Sequence, residues 1–200
     1  SVTYAGLLAA SELATVTGDE ESAVKWRNAA EDIQLAAHKY LFNEARQVFY
    51  RGVSVENGEV TYDETIDTAA VFSAFMFGLF GAESHELRAS IETTAKVFGT
   101  TTENPGLPRY ENDEYRRSDP SINGNWWYIT TLWQAQYDIE HGNTDSAKSI
   151  INWINDHMIS TGMMGEQINP LTNEVIAPAP LTWSHAEYLG TLIDLLGRER

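Results

Sequence analysis

A short helix–turn–helix pattern recurs along the chain with a period of about sixty residues, and this repeat constrains the fold more than any other feature. Three turns, which begin at Gly18-Asp19, Gly81-Ala82 and Gly142-Asn143, lie 63 and 61 residues apart. In such a turn a glycine ends one helix, and an acidic or hydroxyl residue caps the next. Apolar residues then recur at helical spacing after the first and third turns. The repeat therefore predicts successive pairs of helices.

Three long connections separate the predicted helix pairs, and they cover residues 42–64, 99–124 and 159–180. A closing helix is predicted from Leu181 to Leu196. Antiparallel stacking of the pairs would place all the short turns at one end and all the long loops at the other. Because long loops gathered at one end are usually functional, we expect the active site there.

One of the long connections carries a β-hairpin signal. Asn57-Gly58, flanked by alternating valines, is typical of a type I′ turn and predicts a hairpin around 48–62. The predicted fold is therefore all-α, with antiparallel helical hairpins that form about half or more of an (α/α)6 toroid and a small β-hairpin in one long loop. Residues 1–200 are interpreted as a single domain, the C-terminal part of such a toroid.

Composition excludes several classes of function. Thirteen Lys and Arg against 29 Asp and Glu give a formal charge of −16, which repels phosphate backbones, so no nucleic-acid partner is expected. The longest apolar run, Ala69–Phe80, is too short to cross a membrane. The chain has no cysteine, and its five histidines lack ligand spacing, so neither a metal nor a cofactor is expected. The acidic surface fits a high-salt habitat or an ordinary soluble enzyme.

The second and third long loops carry the residue types that bind a pyranose. Aromatic faces cover the apolar faces of a sugar ring, and charged side chains bind its hydroxyls. Arg109 stands among carboxylates and tyrosines, and Trp126 and Trp127 follow it. Glu166 lies in an otherwise neutral segment. The alternatives are structural: Glu166 as a solvated charge, Arg109 in an ordinary salt bridge, and one tryptophan in the core.

Five short motifs carry a resemblance to a known family. They are, in chain order, Arg109-Tyr110-x-x-Asp113-x-Tyr115, Gly124-Asn125-x-Trp127, Thr131-Leu132-Trp133, Glu166-Gln167 and Leu181-Thr182-Trp183-Ser184. The series resembles glycoside hydrolase family 15, which contains glucoamylases, glucodextranases and some microbial trehalases. The resemblance covers residues 109–187, whereas the first hundred residues match only in helical layout. It implies a sugar-cleaving enzyme without a cofactor.

The resemblance also implies roles for individual residues. Glu166 falls on the general base, which activates water for attack at the anomeric carbon. Arg109 falls on an arginine that binds substrate hydroxyls near the scissile bond. Tyr115 and Trp127 fall on aromatics near the leaving-group side, and Trp183 falls on the tryptophan that lines the site of the non-reducing sugar.

Three further residues are interpreted as supporting the site. Asp113 is expected to brace its loop and Arg109, and Gln167 and His185 are expected to lie behind the residues that touch sugar. The family usually has proline where this chain has Trp126, which affects the leaving-group side. The resemblance places the general acid upstream of Ser1, so the 200 residues by themselves are expected to hydrolyse sugars poorly or not at all.

Two classes of function follow. In the first, the chain is part of an inverting, exo-acting α-glucosidase of glucoamylase type, with a trehalase or glucodextranase as a variant. Its substrate would be an α-linked glucose oligosaccharide or polysaccharide, and its partner the missing N-terminal part of the toroid or a second chain. In the second, it is a non-catalytic remnant that binds sugar or packs against a partner. Terpene cyclisation is not favoured, because no clustered aspartate pair is present to hold metal-bound diphosphate.

Overall fold

A computed structural model describes residues 1–198 of the chain. It contains α1 Val2–Thr17, α2 Glu20–Tyr40, α3 Thr68–Met76, α4 His85–Phe98, α5 Tyr128–Glu140, α6 Thr144–Asp156 and α7 Thr182–Arg198. Short strands lie between them: β1 Phe42–Asn43, β2 Val48–Phe49, β3 Gly52–Glu56, β4 Glu59–Asp63, β5 Trp126–Trp127, β6 Gln167–Ile168 and β7 Val175–Ile176. The chain divides into two compact units, one of residues 1–66 and 70–93, the other of residues 67–69 and everything from 94 onward.

The first unit is built on the helical hairpin of α1 and α2. Gly18 ends α1 in the left-handed conformation (φ 81°), and Asp19 caps α2 by accepting a hydrogen bond from the backbone N–H of Ser22. At the interface the alanines of α2 recur every seven residues and are buried: Ala23, Ala30 and Ala37. The hydroxyl of Ser11 donates to the carbonyl of Ala23 at 2.8 Å, which closes the two helices together. The first predicted turn is therefore confirmed.

The predicted β-hairpin lies in the same unit. β3 and β4 pair antiparallel, and the turn residues Asn57 (φ 52°) and Gly58 (φ 84°) both have positive φ, as a type I′ turn requires. Val53 pairs with Tyr62 and Val55 with Val60, so one face of the ribbon is apolar and exposed. On the other face a hydrogen bond of 2.6 Å connects Ser54 Oγ and Thr61 Oγ1.

The second unit packs around α5, which is buried along most of its length. Its core cluster includes Leu132, Ala135 and Ile139 from α5, and Ile150 and Ile154 from α6. The predicted apolar face of α6 is therefore the buried one. Leu195 of α7 enters the same cluster. Among the described residues no helix is long and apolar enough to cross a membrane.

The last turn of α5 contains a buried carboxylate. Asp138 accepts hydrogen bonds from the Ser146 hydroxyl at 2.6 Å and the Gln134 amide at 2.8 Å. Burial raises the pKa of Asp138 above its ordinary value of 3.8, and these hydrogen bonds only partly oppose that effect. Asp138 therefore retains a proton to higher pH in the folded protein than in the unfolded chain.

A small three-stranded sheet joins two of the long loops, and it was not predicted. β6 lies between β5 and β7, with Trp127 paired to Gln167 and Gln167 to Ile176. Leu107 bridges to Trp127 on the far side. Trp127 thus links the two connections: its backbone pairs with Leu107 of connection 99–124 on one side and with Gln167 of connection 159–180 on the other.

Candidate active site

The site begins at Arg109, whose backbone is fixed by the start of α3. The carbonyl of Arg109 accepts a hydrogen bond from the Thr68 N–H at 2.7 Å, and the Thr68 hydroxyl donates to the carbonyl of Pro108, also at 2.7 Å. Asp67 forms an isolated bridge with Tyr110. Thr68 is completely buried, so the backbone that carries Arg109 is held on a rigid support.

Asp113 grips the guanidinium of Arg109 in a two-point ion pair. Arg109 Nε donates to Asp113 Oδ2 and Nη2 donates to Oδ1, each at 2.7 Å. Asp113 is only 1% exposed, and it also accepts from the Tyr115 N–H at 3.0 Å. Burial acts to raise the pKa of Asp113, but the hydrogen bonds from Arg109 and Tyr115 outweigh it and hold the pKa below its ordinary value of 3.8. Asp113 therefore lies against Arg109 and holds its guanidinium.

Three aromatic rings surround the same guanidinium. Its carbon lies 4.6 Å from the ring centre of Trp127, 5.0 Å from that of Tyr115 and 5.2 Å from that of Tyr110. The rings of Tyr115 and Trp127 are themselves 6.1 Å apart. Cation–π attraction at these distances adds to the ion pair in fixing Arg109. Arg109, Tyr115 and Trp127 therefore form one cluster.

The two adjacent tryptophans serve different surroundings. Trp126 packs edge-to-face on Trp153 of α6 at 5.5 Å, inside the core. Gly106 lies directly against the Trp126 ring, and a Cβ at that position would come within 2.4 Å of it. Trp127, the next residue of the strand, faces Arg109 instead. Both rings are buried: Trp126 belongs to the core cluster, whereas Trp127, only 4% exposed, packs beneath Arg109.

Glu166 reaches the cluster through the small sheet. It immediately precedes Gln167, which pairs with Trp127, and it is half-buried. Its charge acts on Arg109: the hydrogen bond to Asp113 is the largest cause that raises the pKa of Arg109, burial opposes it, and the negative charge of Glu166 contributes to the rise. Glu166 and Arg109, separated by 57 residues in sequence, are electrostatic neighbours.

Two buried amides orient the Glu166 carboxylate. Asn125 Nδ2 donates to Gln167 Oε1 at 2.8 Å, and Gln167 Nε2 donates to Glu166 Oε2 at 3.1 Å. Asn125 is 1% exposed and Gln167 is fully buried. Asn125 also receives the Ser118 N–H and donates to the carbonyl of Arg116, so its own orientation is fixed. Gln167 was predicted to lie behind the residues that touch sugar. Asn125, although it lies in the motif Gly124-Asn125-x-Trp127, was assigned no role.

The first turn of α7 holds the segment that carries Glu166. The Ser184 hydroxyl donates to the carbonyl of Gly165 at 2.7 Å, and His185 Nε2 accepts the Met164 N–H at 3.1 Å. Gly165 packs so closely on β7 that a Cβ would lie 2.4 Å from Val175 Cγ1. Trp183, in the same turn of helix, is 51% exposed. His185 therefore contacts the backbone of the segment that carries Glu166.

The donors present do not suggest a metal centre. Within residues 1–198 no group of three or more His, Cys, Asp or Glu side chains is arranged to hold a metal ion. What the second unit does provide is a half-buried carboxylate, a fixed guanidinium, oriented amides and exposed aromatic faces. This combination suits the recognition of hydroxyls and of apolar ring faces.

Several solved structures share the fold. A bacterial glucoamylase complexed with acarbose superposes with a TM-score of 0.81 at 21% identity, over 98% of this chain and 32% of that protein. The glucoamylase of Saccharomycopsis fibuligera gives 0.74 at 14% identity, over 98% of this chain and 54% of its own. A glycosidase variant in complex with glucose gives 0.70 at 18% identity, over 98% and 50% respectively. The predicted fold of helical hairpins from an (α/α)6 toroid is confirmed by these neighbours.

Sequence comparison places the chain in a family. A curated relative, an uncharacterized glycosyl hydrolase of Methanocaldococcus jannaschii, is 24% identical over 200 aligned positions, which cover 94% of this chain and 30% of the relative. The chain thus spans about a third of the length of that relative. The profile of the "Mannosylglycerate hydrolase MGH1-like glycoside hydrolase domain" matches residues 1–188. The chain therefore belongs to the family of MGH1-like glycoside hydrolase domains.

Proposed function

We propose that this chain supplies the general-base side of the active site of an inverting glycoside hydrolase, with Glu166 as the base. The observation that carries the proposal is the position of Glu166, whose carboxylate is oriented by Gln167 and whose charge acts on the guanidinium of Arg109. In an inverting enzyme one carboxylate activates water on one side of the sugar while an acid protonates the leaving oxygen on the other. The resemblance implies that the acid comes from outside these 200 residues.

Each partner of Glu166 has a part in the proposed chemistry. Gln167 occupies one carboxylate oxygen, Oε2, so that the other is available to accept a proton from water. Arg109 is neutralised by its ion pair with Asp113, and its remaining N–H groups can donate to sugar hydroxyls. Tyr115, which is exposed, would lie under the sugar on the leaving-group side, with the buried Trp127 supporting Arg109 behind it, and Trp183 would lie under the non-reducing sugar.

α-Linked glucose oligosaccharides and polysaccharides are the proposed substrate class, with trehalose and dextran as variants. A second candidate is a short α-mannoside that carries a carboxylate, as the family description suggests. Its support is Arg116, whose guanidinium lies 5.9 Å from the ring centre of Tyr115 and could bind an anionic leaving group. Hydrolysis of maltotriose, trehalose, dextran and mannosylglycerate, measured side by side on the complete enzyme, separates these candidates.

Glu166→Gln in the complete enzyme tests the central assignment. Glutamine keeps the size and hydrogen-bonding shape of the carboxylate but cannot accept the proton, so turnover should fall by about 10²–10⁴-fold or more. Binding of sugar, which rests on Arg109 and the aromatic rings, should change by less than about tenfold. Steady-state kinetics and calorimetric titration give the two quantities.

Glu174→Gln is the matched control, because Glu174 lies in the same connection, is exposed, and accepts a hydrogen bond from the nearby Thr172 hydroxyl. Its turnover should remain near that of the wild type. Near-normal turnover in Glu166→Gln, or equal loss in both variants, would contradict the assignment. Retained sugar binding with no hydrolysis by the wild-type protein would favour the non-catalytic alternative.

A further inference from the structure

A hydrogen-bond network between α5 and α7 ends on the indole of Trp183. Gln136 Nε2 of α5 donates to Glu187 Oε2 at 2.9 Å and to the Thr191 hydroxyl at 3.1 Å. The Thr191 hydroxyl donates in turn to the backbone carbonyl of Glu187 at 2.8 Å. The other carboxylate oxygen, Glu187 Oε1, accepts the indole N–H of Trp183 at 3.4 Å. The network thus runs from the helix interface to an aromatic ring at the surface.

The burial of its members shows which way the network acts. Thr191 is fully buried and Glu187 is half-buried, whereas Trp183 is 51% exposed. An exposed tryptophan otherwise samples several rotamers, and ordering it on a ligand costs side-chain entropy. A carboxylate that is itself fixed by Gln136 restricts the indole before any ligand arrives. The contact to the indole is longer than an ordinary N–H···O bond, so it contributes little to the stability of the fold and restrains the ring only moderately.

The hydrogen bonds of Glu187 also determine which part of the Trp183 ring is left for a ligand. Its two oxygens accept from neutral donors, the Gln136 amide and the Trp183 indole. Because the indole N–H is taken up by Glu187, the ring has only its faces left for a ligand. A flat face recognises the apolar C–H surface of a pyranose and not an individual hydroxyl.

We infer that Glu187, held by Gln136, is a positioning residue that sets the plane of Trp183 for stacking on the sugar ring. The inference rests on the proposed function, since it takes the ligand of Trp183 to be the substrate. Neither Glu187 nor Gln136 touches the substrate; both act through the indole.

The test uses Glu187→Ala and Glu187→Gln in the complete enzyme, with Asp194→Ala as the control because Asp194 is an exposed acid on the same helix. Glu187→Ala should raise KM roughly fivefold and change kcat less than about twofold, the size expected when one aromatic contact loses its preferred geometry. Glu187→Gln should restore KM to within about twofold of the wild type, because its amide oxygen can accept the indole N–H while the Gln136 amide rotates to face it. Asp194→Ala should leave both constants unchanged.

A second readout follows the indole itself, without sugar and without turnover. In protein labelled with ¹⁵N-tryptophan, the indole N–H signal that disappears in Trp183→Phe should shift and exchange faster with solvent in Glu187→Ala, but not in Asp194→Ala. An unchanged signal, or a moved signal with unchanged KM, would overturn the inference. So would a fall in kcat, KM and melting temperature together in both the Ala and Gln variants, since that marks a merely structural role. Because this readout needs no catalysis, it stands apart from failure of the Glu166 test.

Discussion

Asp113→Asn isolates the contribution of the buried carboxylate that holds Arg109. Asparagine keeps the shape of the side chain, but its NH2 group replaces one of the oxygens that now accept from Arg109 at 2.7 Å. Two donors would then face each other, and the negative charge beneath the guanidinium would be lost. The change therefore removes the ion pair without opening a cavity.

The structure sets the size of the effect. Hydrogen bonds to charged groups contribute about 1.5–3 kcal/mol, and breaking a fully buried ion pair costs about 3–5 kcal/mol. Asp113 is 1% exposed, but the Arg109 side chain is 32% exposed, so water can solvate the freed guanidinium in part. The loss in free energy of unfolding should therefore lie near the lower range, about 2 kcal/mol.

The sign of the pH dependence gives a second check. The pKa of Asp113 is lowered in the folded protein, so its contribution to stability is present above the ordinary value of 3.8 and is lost as pH falls through the folded pKa. The difference between wild type and variant should be full at about pH 7 and should shrink as the pH falls below the ordinary value of 3.8 and through the lowered pKa of the folded state. Urea denaturation followed by circular dichroism measures it at each pH.

Glu114→Gln provides the control, because Glu114 is an exposed carboxylate in the same loop. The free energy of unfolding of Glu114→Gln should match that of the wild type at each pH. If Asp113→Asn were as stable as the wild type near neutral pH, or if its deficit persisted unchanged in acid, the ionised carboxylate would not be what holds Arg109. Weaker sugar binding is expected to accompany the loss of stability, since the free guanidinium can leave the rings of Tyr115 and Trp127.

Two further changes test the support of the site and the core of the second unit. In Gly165→Ala the new Cβ would lie 2.4 Å from Val175 Cγ1 and push Glu166 aside. A displacement of about 1 Å at the proposed base should lower kcat more than roughly tenfold. Adding Val175→Ala should recover part of the rate, and no recovery would contradict the steric explanation. Asp138→Asn should gain stability relative to the wild type as pH rises above about 4, because the raised pKa of Asp138 means that its contribution favours folding at low pH and is lost as pH rises through the folded value. Melting temperatures recorded against pH that run parallel for the two proteins would refute this.

Local chemistry explains which elements the sequence predicted. Gly18 needs a left-handed conformation and Asn57-Gly58 needs two, and such demands can be recognised without knowledge of the rest of the chain. The apolar period of α6 likewise identifies its buried face. The closing helix was predicted from Leu181 to Leu196 and is observed from Thr182 to Arg198.

Pairing between distant segments explains what was missed. β5, β6 and β7 have two residues each, too few for an alternating pattern, and Trp127 finds its partner forty residues away at Gln167. The amide relay from Asn125 to Glu166 exists only because of that pairing. The motifs predicted which residues form the site. Which of these residues hold the others in place could not be predicted, because it depends on the register of three very short strands. The catalytic and binding roles remain predictions.

The adjacent placement of Trp126 and Trp127 links the interior of the protein to its chemistry. The ring of Trp126 packs in the core against Trp153, and the ring of Trp127 packs against the guanidinium of Arg109. A single peptide bond of strand β5 joins the two residues. A rotation of this strand cannot loosen one ring without moving the other. Substitutions that repack the interior near Trp153 should therefore change substrate preference before they unfold the protein. Variation in the core thus offers a route by which related enzymes could acquire new specificities.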